Sequence, residues 1–89
     1  MLAKIETRLN GALAISHIEL EDDSASHTSH RGNTTGGGHF TALIVSDDFS
    51  GLSLLERHRL VYSALGDLMG GAIHAFSMKT VTNKEFEGD

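Results

Sequence analysis

Six histidines are the residues of this 89-residue chain whose chemistry is most informative, and the chain contains no cysteine. Neutral imidazole is a common ligand for zinc, copper and iron. The lack of cysteine excludes disulfide bonds, thiol catalysis and a thiolate metal site within the chain. Any metal would therefore be held by His, Asp or Glu, or by ligands that a partner contributes.

Four of the histidines are expected to converge at one end of a sheet. His39 begins the second predicted strand and His74 lies near the start of the third. These two strands are predicted to be parallel, so they start at the same end of the sheet. The loop that carries His27 and His30 leads into the second strand. Three or four imidazoles can therefore meet, although they are far apart in sequence.

Each of these histidines also has a structural interpretation. His74 shares strand parity with apolar neighbours, which predicts a half-buried side chain on the core face. His27 and His30 have His-x-x-His spacing, but in a loop this spacing is only a weak indication of metal binding. For His39, a structural role or a hydrogen bond to a metal-ligating side chain is favoured over direct binding of the metal.

The periodicity of the chain predicts one α+β domain over residues 1–89. It comprises a helix at 2–13, strands at 14–21, 39–46 and 72–81, a main helix between the last two strands, and a short helix at 82–86. Residues 22–38 form a long His-, Gly- and Ser-rich loop that is expected to be mobile. The order αββ(α)αβ(α) predicts a three-stranded mixed sheet with helices packed on one face. His17 is expected on the exposed side of the first strand.

The main helix is predicted to begin at Ser53, which forms a capping box with Glu56. It is predicted to continue to Met69 and to stop at Gly70 and Gly71. Its apolar stripe is formed by Leu54, His58, Val61, Leu65 and Leu68. The position of His58 on this stripe predicts a core histidine with satisfied hydrogen bonds. Arg57 and Arg59 lie off the stripe and are expected to face solvent or a partner.

Composition narrows the function classes. The net charge of −5 and the scattered basic residues give weak support to nucleic-acid binding, which depends on phosphate neutralisation. No apolar stretch is long enough to cross a membrane. Without a signal peptide or an Arg- and Ser-rich presequence, the chain is expected in the cytoplasm, or in mitochondria if a presequence has been removed.

Three segments resemble the BolA family in order, spacing and residues. They are VSDDFSG at 45–51, LERHRLVY at 55–62 and IHAFSMKT at 73–80, and the resemblance extends over nearly the whole chain. It implies a class II KH-like fold. It also implies that His74 ligates an iron–sulfur cluster. The family carries His or Cys at the loop position of His27, so the chain is similar to the His-type branch.

The resemblance further implies a non-enzymatic adapter that shares a [2Fe–2S] cluster with a monothiol glutaredoxin in iron–sulfur assembly or iron homeostasis. His74 would be the anchor ligand and His27 the second, with His30 and His39 as alternates. A glutaredoxin thiolate and its bound glutathione would complete the ligand set. Two nitrogen ligands on one iron raise the reduction potential of such a cluster.

Two other functions stay open. A KH-like fold could serve a DNA-binding transcription regulator, with Arg57, Arg59 and Lys79 on the partner or nucleic-acid surface. KH modules, however, clamp the backbone with a Gly-x-x-Gly loop, and here residues 50–53 read Ser-Gly-Leu-Ser. The third possibility is a zinc- or copper-binding loop that needs His27 and His30 but no partner.

The chain departs from the family near its C-terminus. Asn83 stands where the family usually has Pro, and Phe86 stands where it usually has Trp. The capping box formed by Thr82 and Glu85 is retained, so the short C-terminal helix is still expected.

Overall fold

The computed structural model describes residues 1–23 and 38–88. Its helices and strands are α1 (Leu2–Ala12), β1 (Ile15–Asp22), β2 (Gly38–Ser46), α2 (Leu54–Leu65), β3 (Ile73–Val81) and α3 (Asn83–Glu87). Short 3-10 turns at Asp47–Phe49 and Gly66–Leu68 precede and follow α2. The predicted order of elements is confirmed.

The sheet is mixed, with β2 in the centre. β1 pairs with β2 antiparallel, and β3 pairs with β2 parallel. Helices α1 and α2 pack on one face of this sheet and enclose the core. Its fully buried members include Ile5, Leu9, Ile44, Phe49, Val61, Leu65 and Ile73. The predicted α+β class and mixed sheet are therefore confirmed, while α3 lies against the opposite, open face.

Helix α2 begins as predicted but ends earlier. Both hydrogen bonds of the Ser53–Glu56 capping box are present. The α-helix then ends at Leu65 because Gly66 takes a positive φ of 54°, and the chain continues as a 3-10 turn rather than as helix to Met69. Gly70 also has a positive φ, of 84°, so the predicted turn before β3 is correct.

The predicted apolar stripe of α2 is wrong at its first residue. Val61 and Leu65 are fully buried, whereas the side chain of Leu54 is 63% exposed. Leu54 is the first residue of the helix, and the residues of α2 that are buried in the core lie in its second half. Helical periodicity identifies the buried face, but it does not show where along the helix the core ends.

Candidate metal centre

The imidazole rings of His39 and His74 lie together at the amino-terminal end of the parallel strands. Their centroids are 5.1 Å apart and the ring planes are tilted by 42°. The backbone N–H of Gly38 donates to the carbonyl of Ala72 at 2.9 Å, which ties the starts of β2 and β3 together. The structure thus brings these two histidines together, as the strand order predicts.

A β-bulge sets the direction of His74. Gly38 pairs with Ile73, but the next residue, His39, pairs with Ala75, so His74 is an extra residue on β3. A bulge interrupts the alternation of side chains along a strand. As a result Ile73 is buried and His74 is exposed, while His39 is half-buried. The prediction that His74 lies on the core face is therefore wrong, and its imidazole is accessible to a partner.

The pair has a spacing suited to one metal ion. With metal–nitrogen bonds of about 2.0–2.1 Å, two imidazoles on a tetrahedral metal have centroids roughly 5 Å apart, close to the observed 5.1 Å. Among residues 1–23 and 38–88, no third His, Cys, Asp or Glu side chain joins the pair in a group able to hold a metal. The described residues could thus supply two of the four ligands of a tetrahedral metal.

The other predicted ligands and histidines fall elsewhere. His27 and His30 lie outside the described residues. His58 is half-buried on α2, and its Nε2 is buried without a hydrogen-bond partner within the part of the chain described. The predicted hydrogen bond of this histidine is therefore not found among the described residues. His17 is half-buried rather than simply exposed, because its ring stacks on Phe86 at 5.0 Å and its Nε2 lies 2.7 Å from Glu19.

The three predicted partner-facing cations do not form one surface. Arg57 is only 14% exposed, and its guanidinium donates to the carbonyls of Leu52 and Thr80 and to both carboxylate oxygens of Glu85. Its expected exposure is therefore wrong. Arg59 is exposed on α2, and Lys79 is exposed on the face of the sheet opposite α2. The described cations thus provide no continuous basic patch around the three predicted positions.

The Arg57–Glu85 pair fixes α3 to the rest of the fold. Hydrogen bonds from the Arg57 side chain and from the backbone N–H of Thr82 lower the pKa of Glu85 from 4.5 to about 2. Because the folded-state pKa is depressed, this carboxylate stabilises the fold above about pH 4.5, and the contribution is lost as the pH falls toward 2. Sequence analysis detects the Thr82–Glu85 capping box but not this contact with a residue 28 positions away.

We therefore expect Glu85→Gln to lower the free energy of unfolding at pH 7. The difference from the wild-type chain should shrink between pH 4.5 and pH 2, where the native carboxylate becomes protonated. Urea denaturation at pH 7 and at several acidic pH values measures this difference in free energy of unfolding. Glu87→Gln, on the same helix, is the control. A destabilisation that is the same at every pH would contradict the conclusion that the ionised carboxylate of Glu85 stabilises the fold.

Comparison with known proteins identifies the family to which this chain belongs. The family model described as BolA-like protein matches residues 9–85. The chain belongs to the BolA-like protein family. It is 41% identical over 80 residues to BolA-like protein 1 of Homo sapiens, an alignment that covers 90% of this chain and 56% of the human protein.

This BolA-like chain is also similar to two further proteins, one of them a solved structure. It is 36% identical over 85 residues to the Escherichia coli protein named DNA-binding transcriptional regulator BolA, covering 96% of this chain and 78% of that protein. The solved BolA domain of SufE1 from Arabidopsis thaliana matches with a TM-score of 0.79 and 40% identity, covering 93% of this chain and 92% of that domain. The chain spans little more than half the length of the human protein, so the comparison with that protein concerns the aligned part alone.

None of the helices within residues 1–23 and 38–88 is both long and apolar enough to cross a membrane.

Proposed function

We propose that this BolA-like domain is a non-enzymatic adapter that shares a [2Fe–2S] cluster with a monothiol glutaredoxin in iron–sulfur assembly or iron homeostasis. The observation that carries the proposal is the His39–His74 pair, whose ring centroids are 5.1 Å apart at an accessible edge of the sheet. His74 is the anchor ligand and His39 the second. His27, the second ligand implied by the family resemblance, competes for that position.

The side chains that could ligate iron support a cluster shared with a partner rather than one held within this chain. This chain has no thiolate, and [2Fe–2S] clusters are usually held by four Cys ligands, two of which His can replace on one iron. A glutaredoxin thiolate and a glutathione thiolate would supply the other two ligands. The bulge at His74 supports the same division, because it directs an imidazole away from the core.

In the shared site, the cluster would supply an electron- and iron-carrying centre, and the chain would supply two neutral nitrogen donors. Neutral donors leave a less negative site than thiolates and therefore raise the reduction potential. Metal ligation requires the neutral form of imidazole rather than imidazolium. Acidification should therefore weaken the complex.

A titration of the chain into cluster-loaded monothiol glutaredoxin tests the proposal. Visible absorption and circular dichroism should change to a new spectrum that saturates at one chain per cluster, and size exclusion should show a heterodimer. His39→Ala and His27→Ala distinguish the two candidates for the second ligand. An unchanged spectrum and no complex would overturn the proposal.

DNA binding is the second candidate function, favoured by the similarity to the Escherichia coli protein named DNA-binding transcriptional regulator BolA. The acidic net charge and the separation of Arg57, Arg59 and Lys79 weigh against it. Specific DNA binding with a steep salt dependence, lost on Arg59→Ala and unchanged by His74→Ala, would favour this function over cluster sharing.

A further inference from the structure

A groove crosses the open face of the sheet, on the side opposite α1 and α2. Its volume is about 530 Å³. Leu43 and Val81 form the apolar floor, and the ring of Phe86 closes one end; that side chain is 46% exposed. The groove is lined by neither His39 nor His74. It is therefore a separate surface from the candidate metal centre.

The end wall of the groove is held in place by contacts with the rest of the fold. Besides the Arg57–Glu85 pair, the Ser16 hydroxyl donates to the side-chain oxygen of Asn83 at 2.5 Å. The backbone N–H of Asn83 donates to the Asp47 carboxylate at 3.1 Å. These bonds fix the start of α3, which carries Phe86. The groove is thus formed before a ligand arrives, which lowers the entropic cost of binding.

The two long sides of the groove carry opposite charge. Glu19 and Glu21 are exposed on β1, and Lys79 is exposed on β3. Glu19 pairs across the sheet with Leu43, and Leu43 pairs with Lys79. With strands about 4.8 Å apart, the carboxylate side and the ammonium side are separated by roughly 10 Å of apolar floor. Glu85 also lines the groove, but its carboxylate is paired with Arg57. Glu19 and Glu21 against Lys79 therefore leave the groove net acidic.

We propose that this open-face groove is a docking site for a basic amphipathic helix of a partner protein. An α-helix is about 10–12 Å in diameter and so matches the width of the floor. It would place an apolar side chain against Leu43, Val81 and Phe86, and its Lys or Arg residues over Glu19 and Glu21. It would also extend the layer that α3 begins on this face of the sheet.

The occupant follows from charge complementarity. An acidic helix would bring carboxylates toward Glu19 and Glu21, whereas a basic helix is attracted by them and by the net charge of −5. Lys79 repels basic residues of the partner helix, so these residues must lie on the side of the helix that faces Glu19 and Glu21. This repulsion fixes the orientation of the helix in the groove. This inference is independent of cluster sharing, because the groove residues are not metal ligands.

The probe is an 18-residue helical peptide with leucines on one face and lysines on the other. Fluorescence anisotropy should show saturable binding to the full chain, and the largest NMR shifts should map to β1, β2 and β3 residues of the open face. Glu21→Gln should weaken binding about two- to five-fold, as for an exposed ion pair. Lys79→Gln should tighten it about two-fold, and Glu6→Gln on α1 should leave it unchanged. Phe86→Ala should weaken it about ten-fold.

Two comparison peptides make the test decisive. A Leu/Glu peptide of the same length should not bind, and an Ala/Lys peptide should bind at least ten-fold more weakly. Equal binding of all three peptides, shifts confined to α1 and α2, or the same affinity for Glu21→Gln and Lys79→Gln would overturn the proposal. His74→Ala should leave peptide binding intact and Glu21→Gln should leave cluster uptake intact, so failure of one proposal is distinguishable from failure of the other.

Discussion

His74→Ala should weaken the cluster-bridged complex with a monothiol glutaredoxin by about a hundred-fold or more. The substitution removes the accessible imidazole that the bulge directs away from the core. Loss of a residue that only supports a metal ligand already costs about 10–100-fold in metal affinity, so loss of a ligand should cost at least as much. Fluorescence anisotropy of labelled glutaredoxin, with and without cluster, measures the change.

Ser77→Ala is the matched control for this substitution. Ser77 is exposed on the same strand, three residues beyond His74 and outside the bulge, so its removal should leave the affinity unchanged. Because His74 is also exposed, His74→Ala should unfold at the same urea concentration as the wild-type chain. An unchanged affinity of His74→Ala for cluster-loaded glutaredoxin would contradict its role as anchor ligand.

Phe49→Ala should lower the free energy of unfolding by about 3–5 kcal/mol. The ring lies in the turn between β2 and α2 and is fully buried in the core cluster. Removing it leaves a cavity among neighbours that are held by both the sheet and the helices. Since small domains have a total stability of only about 5–15 kcal/mol, this substitution should leave a marginally folded chain. Urea denaturation followed by circular dichroism measures the loss.

Leu54→Ala provides the contrasting control. Leu54 is 63% exposed at the start of α2, so its removal should cost under about 1 kcal/mol. The sequence pattern places Leu54 on a predicted apolar stripe, but only the structure shows that Phe49 belongs to the core and Leu54 does not. Equal destabilisation by Phe49→Ala and Leu54→Ala would contradict the extent of the core described here.

Local signals in the sequence predict much of the fold. The two capping boxes mark the starts of α2 and α3, and both are formed as predicted. The strand at Gly38–Ser46 is central, as its apolar residues on both parities predict, although its burial is concentrated on the parity of Phe40, Ala42 and Ile44. The parallel pairing of β2 and β3 follows from the helical crossover between them. These features depend on residues close in sequence or on general rules of chain topology, so one sequence is enough to find them.

The features that sequence reasoning missed depend on tertiary contacts. A one-residue bulge gives no signal in a strand pattern, so the sequence predicts the core face for His74, whereas the side chain is exposed. The contact of Arg57 with Glu85 joins two helices through residues that are 28 positions apart in the sequence. The stack of His17 on Phe86 likewise joins β1 to α3 and creates the end of the open-face groove. Composition and periodicity do not report such pairs.

The most direct test of cluster sharing is to count the nitrogen ligands in the complex. The chain is labelled with 15N-histidine, mixed with unlabelled cluster-loaded monothiol glutaredoxin and reduced, and the paramagnetic cluster is studied by pulsed electron paramagnetic resonance. Two strongly coupled 15N nuclei are predicted, one of which disappears in His74→Ala and the other in His39→Ala. A cluster with no coupled 15N would contradict the account, because all of its ligands would then come from the glutaredoxin side.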